Sequence, residues 1–221
     1  MARLAGIRSK SHMLGYSIQQ AVYVGTRLFI VMLLPMLGLI VDIKIKIATY
    51  QAMAAFALLG AASLSILAYL SQNVLVAYYE GVIKTYKKSG NFLTCFFSKP
   101  LSYSTRTSII SQFKSSWNNA EGRRIVIQSS FVFAIYSTGI FISFYIALTQ
   151  YEYRASISQL SGIINSMGTV LLTFFIEPRI SRGIDAGRDD AETLVHALLI
   201  GRLIGVAILG QAILLVTFAT V

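Results

Sequence analysis

The sequence predicts an all-α, polytopic integral membrane protein with about five transmembrane helices, the N-terminus inside and the C-terminus outside. Three observations carry this. First, 55% of the 221 residues are hydrophobic and 13% charged, against roughly 25% charged in soluble domains, and mean hydropathy is +0.66. Second, several nearly uncharged runs are long enough to cross about 30 Å of hydrocarbon. Third, the basic residues between those runs segregate by side.

The spans follow in order. The first is Met13–Val41, closed by the short turn Asp42-Ile43-Lys44-Ile45-Lys46. The second lies within Ile47–Tyr79, which has no charge and is long for one perpendicular crossing, so tilt is expected. A polar, basic loop covers Glu80–Arg124. The third span is Ile125–Thr149, followed by Tyr151-Glu152-Tyr153-Arg154. The fourth is Ile157–Ile176, followed by a charged loop Glu177–Glu192, and the fifth is Thr193–Val221. The Asp189-x-x-Glu192 spacing resembles a capping box for the last helix.

With five crossings, the N-terminus and the loops Glu80–Arg124 and Glu177–Glu192 share one side. That side holds fourteen Lys and Arg, the other holds Lys44, Lys46 and Arg154, and Arg27 and Arg202 lie within helices. The positive-inside rule makes the richer side cytoplasmic. Residues 1–221 then form a single transmembrane domain, with 80–124 a basic cytoplasmic or interfacial loop. There Phe92, Phe96, Phe97 and Trp117 interleave with cations, which suits a segment in the head-group region. The net charge of +10 accordingly points to anionic membrane lipids and away from nucleic acid.

Arg27 stands near the middle of the first span. A guanidinium there costs about 2.5–3.5 kcal/mol on insertion scales. Tyr16, Gln20, Tyr23 and Arg27 recur at four, three and four residues, on one face, and the face continues as apolar Ile30, Val31 and Leu34. This is the pattern of a helix lining a cytoplasm-open cavity with an apolar ceiling. The alternative is packing against polar groups of neighbouring helices. Polar stripes recur elsewhere, as Ser129, Tyr136 and Ser143 in the third span and Gly162, Ser166, Thr169, Thr173 and Glu177 in the fourth; hydroxyls at such spacing also serve as helix–helix glue. In the fifth span Gly201-Arg202-Leu203-Ile204-Gly205 combines a close-packing glycine pair with a cation. Arg202 is placed to contact substrate, to snorkel, or to pair with Glu177 or Glu80.

No Gly-x-x-x-x-Gly-Lys-Ser/Thr loop occurs, which leaves ATPase chemistry without its motif. His12 and His196 are isolated, and no His, Cys and carboxylate spacing suits a metal. No nucleophile has a base placed beside it, so neither a cofactor nor an enzymatic reaction is expected. The single cysteine, Cys95, forms no internal disulfide.

Two stretches stand out as motifs. One is Arg3-Leu4-Ala5-Gly6-Ile7-Arg8-Ser9-Lys10 with Thr26-Arg27 downstream. The other is Glu177-Pro178-Arg179-Ile180-Ser181 with Asp185 and then Gly201-Arg202-Leu203-Ile204-Gly205. Both resemble the Amj family of alternate lipid II flippases. Between them the likeness is mainly one of hydropathy. Arg3, Arg8, Arg27, Pro178, Arg179, Asp185 and Arg202 fall on family-motif positions. Glu177 stands where the family usually has Asp, and Leu28-Phe29 where more polar residues are usual. The resemblance also implies a further apolar helix ahead of the Arg-x-Ala-Gly segment at which this sequence begins.

The resemblance implies a flippase for an undecaprenyl-diphosphate-linked saccharide, lipid II or a related lipid-linked glycan, in the bacterial cytoplasmic membrane. The candidate substrate-binding residues are Arg27, Arg202, Tyr23, Gln20, Arg179, Glu177 and Asp185. A planar guanidinium suits a diphosphate better than an ammonium, and Glu177 would hold an arginine when the site is empty. A membrane scaffold or assembly subunit of an envelope-glycan machine is the alternative; it requires Arg27 to pair with a protein carboxylate.

Overall fold

The computed structural model describes residues 1–90, 94–95 and 108–220. Phe92, Phe96 and Phe97, cited above for the basic loop, lie outside them, as do Lys99 and Arg106 among its basic residues. Among the described residues the chain is helical with short turns, and five helical rods are long and apolar enough to cross a membrane. That is the architecture expected when every backbone polar group must be satisfied within its own segment.

A short helix α1 (Ala2–Arg8) precedes the first span α2 (His12–Asp42). The chain reverses at Ser9-Lys10-Ser11, with Lys10 at φ 50°. Gly6 and Gly15 bring the two backbones together, since a Cβ on either would collide with the other's Cα. α1 is almost wholly enclosed: Leu4 and Ala5 are fully buried, and Arg3 is only 4% exposed. The second span α3 (Ile47–Leu70) is about 36 Å long at 1.5 Å per residue. It does not run on to Tyr79 as one tilted helix. Ser71 interrupts it, and α4 (Gln72–Ser89) continues as an amphipathic helix that packs on α1. A 24-residue helix already spans the hydrocarbon, so the uncharged residues beyond it are free to serve a different layer.

The Glu80–Arg124 segment is therefore not simply a loop. Its first part is the end of α4, and α5 (Ile109–Asn118) follows. Asn119 then caps α6 (Ala120–Thr149), its side-chain oxygen accepting from the N–H of Glu121 (2.9 Å) and Gly122 (3.0 Å). The third span thus begins five residues earlier than hydropathy suggests, because capping and not apolarity sets where a helix starts.

A 3₁₀ turn (Tyr151–Tyr153) leads into α7 (Arg154–Leu171). A π turn (Leu172–Ile176) links α7 to α8 (Glu177–Asp185). The expected loop Glu177–Glu192 is thereby corrected: the rod runs to Asp185 and only residues 186–190 form the turn. Pro178 does not stop it, because it falls in the first turn of α8, directly after the widened π turn, where no ladder hydrogen bond is lost. The last span is α9 (Ala191–Ile204), a second π turn (Gly205–Leu209) and α10 (Gly210–Thr220). No capping box forms. The N-cap residue is Asp190, whose carboxylate instead meets Arg188 and Asn119, while Glu192 reaches Arg8.

α6 is the central rod, packed on α7 and α9 and touching α2, α3, α5 and α10. Its approach to α9 depends on small residues: a Cβ on Gly201 would overlap Ser129 Oγ, and one on Gly205 would overlap the Ser130 carbonyl. Ser129 and Ser143 satisfy their hydroxyls on their own helix, at the carbonyls of Ile125 (2.6 Å) and Gly139 (2.8 Å). They therefore line a packed interface. α2 is the opposite case. It is buried at Gly15 and Ile18 near one end and at Leu37 and Val41 near the other, with no buried residue between.

Gly201→Leu is expected to lower the thermal midpoint in detergent, since forcing volume into a packed core costs about 1–3 kcal/mol. Gly162→Ala, which meets no atom within 4 Å, should leave it within about 1 kcal/mol. Equal loss from both would contradict the packing described.

Candidate functional site

Midway along α2, Arg27 turns toward α7. Its Nη2 donates to Tyr23 Oη (2.9 Å) and Thr169 Oγ1 (2.8 Å), and its Cζ lies 4.9 Å from the centre of the Tyr23 ring. Thr169 donates in turn to the Asn165 carbonyl (3.0 Å), which leaves its lone pairs for the guanidinium. Tyr136 of α6 completes the group from behind, beside Tyr23 and Thr169. Gly168 makes room for it, since a Cβ there would meet the Tyr136 ring. The site is thus built from three elements: α2 supplies the cation, α7 a hydroxyl beside a glycine, and α6 an aromatic wall.

All of Arg27's hydrogen-bond partners among the described residues are neutral. It has no carboxylate within ion-pair distance there, both of its hydrogen bonds to Tyr23 and Thr169 leave from Nη2, Tyr136 lies within reach of the guanidinium, and its side chain is exposed. A guanidinium carries five donors, so part of its capacity is uncommitted. Gln20 lies about two turns earlier, half-buried.

Arg202 projects from α9 over Phe133 of α6, 5.5 Å from the ring centre, and likewise has no ion pair among the described residues. Protein surrounds it on most sides, yet its side chain is exposed. Tyr136 lies within electrostatic reach of both Arg202 and Arg27.

The acid that either cation needs is engaged elsewhere. Glu177 pairs with Arg3, whose Nη2 also donates to Ser181 Oγ (2.5 Å) and whose guanidinium lies over the Tyr16 ring. Arg8 grips Glu192 through two nitrogens, at 3.1 and 3.2 Å. Arg188 bridges Glu121 (2.8 Å) and Asp190 (2.7 Å). The Arg188 hydrogen bond, with help from Asn119, holds the Asp190 carboxyl below the usual carboxylate range. Arg179 donates to Gln128 of α6 (3.0 Å), and Asp185 is exposed at the end of α8.

The structure therefore brings Arg27 and Tyr23 together and sets Arg202 beyond Tyr136. Glu177, Arg179 and Asp185 belong to a separate layer around α1 and α8. Thr169, Tyr136 and Phe133 were not among the sequence candidates. The two hydroxyl residues were visible only as members of stripes, and nothing marked which stripe member would meet Arg27.

A family model described as Amj, "Alternate to MurJ", matches residues 1–221. The chain belongs to the Amj family. No curated protein and no solved structure matches it. Membership together with the five apolar rods makes it a multi-pass protein of the inner membrane. The description sets the family beside the lipid II flippases of peptidoglycan synthesis, a transporter type of protein.

Removing one partner of a buried ion pair strands the other charge and costs about 3–5 kcal/mol. Arg3→Ala should therefore destabilise the protein strongly in a detergent melt, and Arg3→Met combined with Glu177→Leu should recover most of the loss. Acid titration supplies a second check. Because the folded state lowers Asp190's pKa, its contribution is complete above the unfolded carboxylate value and disappears as pH falls through the lowered one. Asp190→Asn should flatten that acid limb of the stability profile.

Proposed function

We propose that this protein moves an undecaprenyl-diphosphate-linked saccharide, lipid II or a related lipid-linked glycan, across the cytoplasmic membrane, and that Arg27 receives the diphosphate. One observation carries the proposal: a mid-span guanidinium, open and held only by neutral hydroxyls among the described residues, while Glu177 is engaged by Arg3. A structural cation would be neutralised, because an unmatched charge is costly at that depth. A diphosphate supplies the missing charge and accepts charge-assisted hydrogen bonds from the guanidinium.

Arg202 serves as a second cation on the far side of Tyr136; it is closely surrounded by protein yet exposed, which suits the wall of a path for the head group. The segregation of fourteen basic residues against three supports an orientation with the α1 end in the cytoplasm and the C-terminus outside. The head group then enters from the inner leaflet beside the partly covered middle of α2, and the prenyl chain stays in lipid. The scaffold reading draws less support. It requires a carboxylate on Arg27, and the glycine face it would use for a partner is occupied by α6.

The test measures delivery of lipid-linked saccharide to the outer leaflet, using an impermeant probe on cells that depend on this protein. Loss of charge-assisted hydrogen bonds of about 1.5–3 kcal/mol corresponds to roughly ten- to a hundredfold weaker binding. Arg27→Ala should cut delivery on that scale at equal expression, and Arg27→Lys should fall between. Undiminished delivery by Arg27→Ala would remove the role given to Arg27; none by the intact protein would remove the transport reading.

A further inference from the structure

α5 is inside out for a helix facing water. Its inward face is polar. Gln112 and Ser116 are buried, Gln112 accepting from Gln72 Nε2 (2.7 Å) and Ser116 donating to the Thr193 carbonyl (3.3 Å). Its exposed side carries an apolar stripe, with Ile110 80%, Phe113 46% and Trp117 43% exposed and the last two rings stacked at 6.3 Å, flanked by Ser111, Ser115 and Asn118. Spacings of three and four residues put these side chains on one stripe, with Lys114 at its edge. In water such a stripe is a liability, whereas in a bilayer interface it is the anchoring face.

Its height is set independently. Gln72 lies just past the end of α3, and Thr193 in the first turn of α9, so both inward hydrogen bonds reach points where spans leave the hydrocarbon. α5 thus runs at the level of the head groups. Lys114 and, just past the turn, Arg123 and Arg124 are exposed and hold no ion pair among the described residues. An aromatic stripe edged by unmatched cations at this depth has the complementarity of an anionic lipid surface.

We propose that α5 is a lipid-reading helix. It embeds Ile110, Phe113 and Trp117 in the interface, and Lys114, Arg123 and Arg124 gather acidic lipid head groups around it. The proposal is independent of what the protein transports.

Trp117 is the sole tryptophan, so its fluorescence reports on α5 alone. The full chain would be reconstituted into vesicles containing shallow-brominated phosphatidylglycerol or phosphatidylcholine at matched density, with Trp117→Phe as the blank. Bromolipid should quench the emission and aqueous iodide should not. Each cation near an acidic surface contributes about 1 kcal/mol, roughly a fivefold local enrichment, so quenching should be several-fold more efficient with brominated phosphatidylglycerol. Lys114→Gln alone should weaken that preference, and adding Arg123→Gln and Arg124→Gln should abolish it while quenching by lipid persists. Equal quenching by the two lipids, access to iodide without access to bromolipid, or shielding from both would each overturn the proposal.

Discussion

A charge held away from water needs an opposite charge, and Arg3 with Glu177 meets that need within the fold. The rest of the polar architecture follows from this pairing. It ties the first seven-residue helix to the rod that begins at Arg154, 174 residues apart in pairing partners. It also commits the acid nearest in sequence to Thr169. Arg27 is left with hydroxyls, and Arg202 with an aromatic face. The pair fixes structure, and the two unmatched cations remain for chemistry.

Packing divides along the same line. α6 is held by glycines and by serines that hydrogen-bond to their own backbone, a solution that needs no water. At the α1 end, by contrast, an apolar cluster that includes Leu4, Ile83 and Ile180 is tied together by ion pairs through Arg3, Arg8 and Arg188. Dry interfaces of small residues suit the hydrocarbon depth. Charge-assisted hydrogen bonds suit the layer where water and head groups begin.

The five spans were legible because a bilayer requires runs of apolar residues, and α2 ended within a residue of its expected limits. The polar stripe on α2 was equally legible, since helical periodicity puts Tyr23 and Arg27 on one face. The layer at the α1 end was not. Hydropathy has no signal for a buried helix such as α1, whose enclosure depends on Glu177 and Glu192 far along the chain. Pro178 and its charged neighbours read as a loop because a preceding π turn cannot be seen in composition. Asp189 and Glu192 fit a capping pattern, yet the N-cap position falls on Asp190, and Glu192 finds its partner in Arg8, far along the chain. That Thr169 would be the hydroxyl facing Arg27 depended on Gly168 and the Tyr136 ring, a tertiary fact.

The uneven burial of α2 has a mechanical consequence. The helix is a beam clamped at both ends, by Gly15 and Ile18 on one side and by Leu37 and Val41 on the other, and only partly covered between, where Tyr23, Ile30, Leu33 and Leu34 are half-buried. A clamped beam bends most easily at its centre, and Arg27 sits there. Gly25 beside it and Pro35 further along both soften the rod. The point of greatest compliance and the unmatched charge coincide, so a force applied through the guanidinium acts where the fold yields most and its anchors are least disturbed.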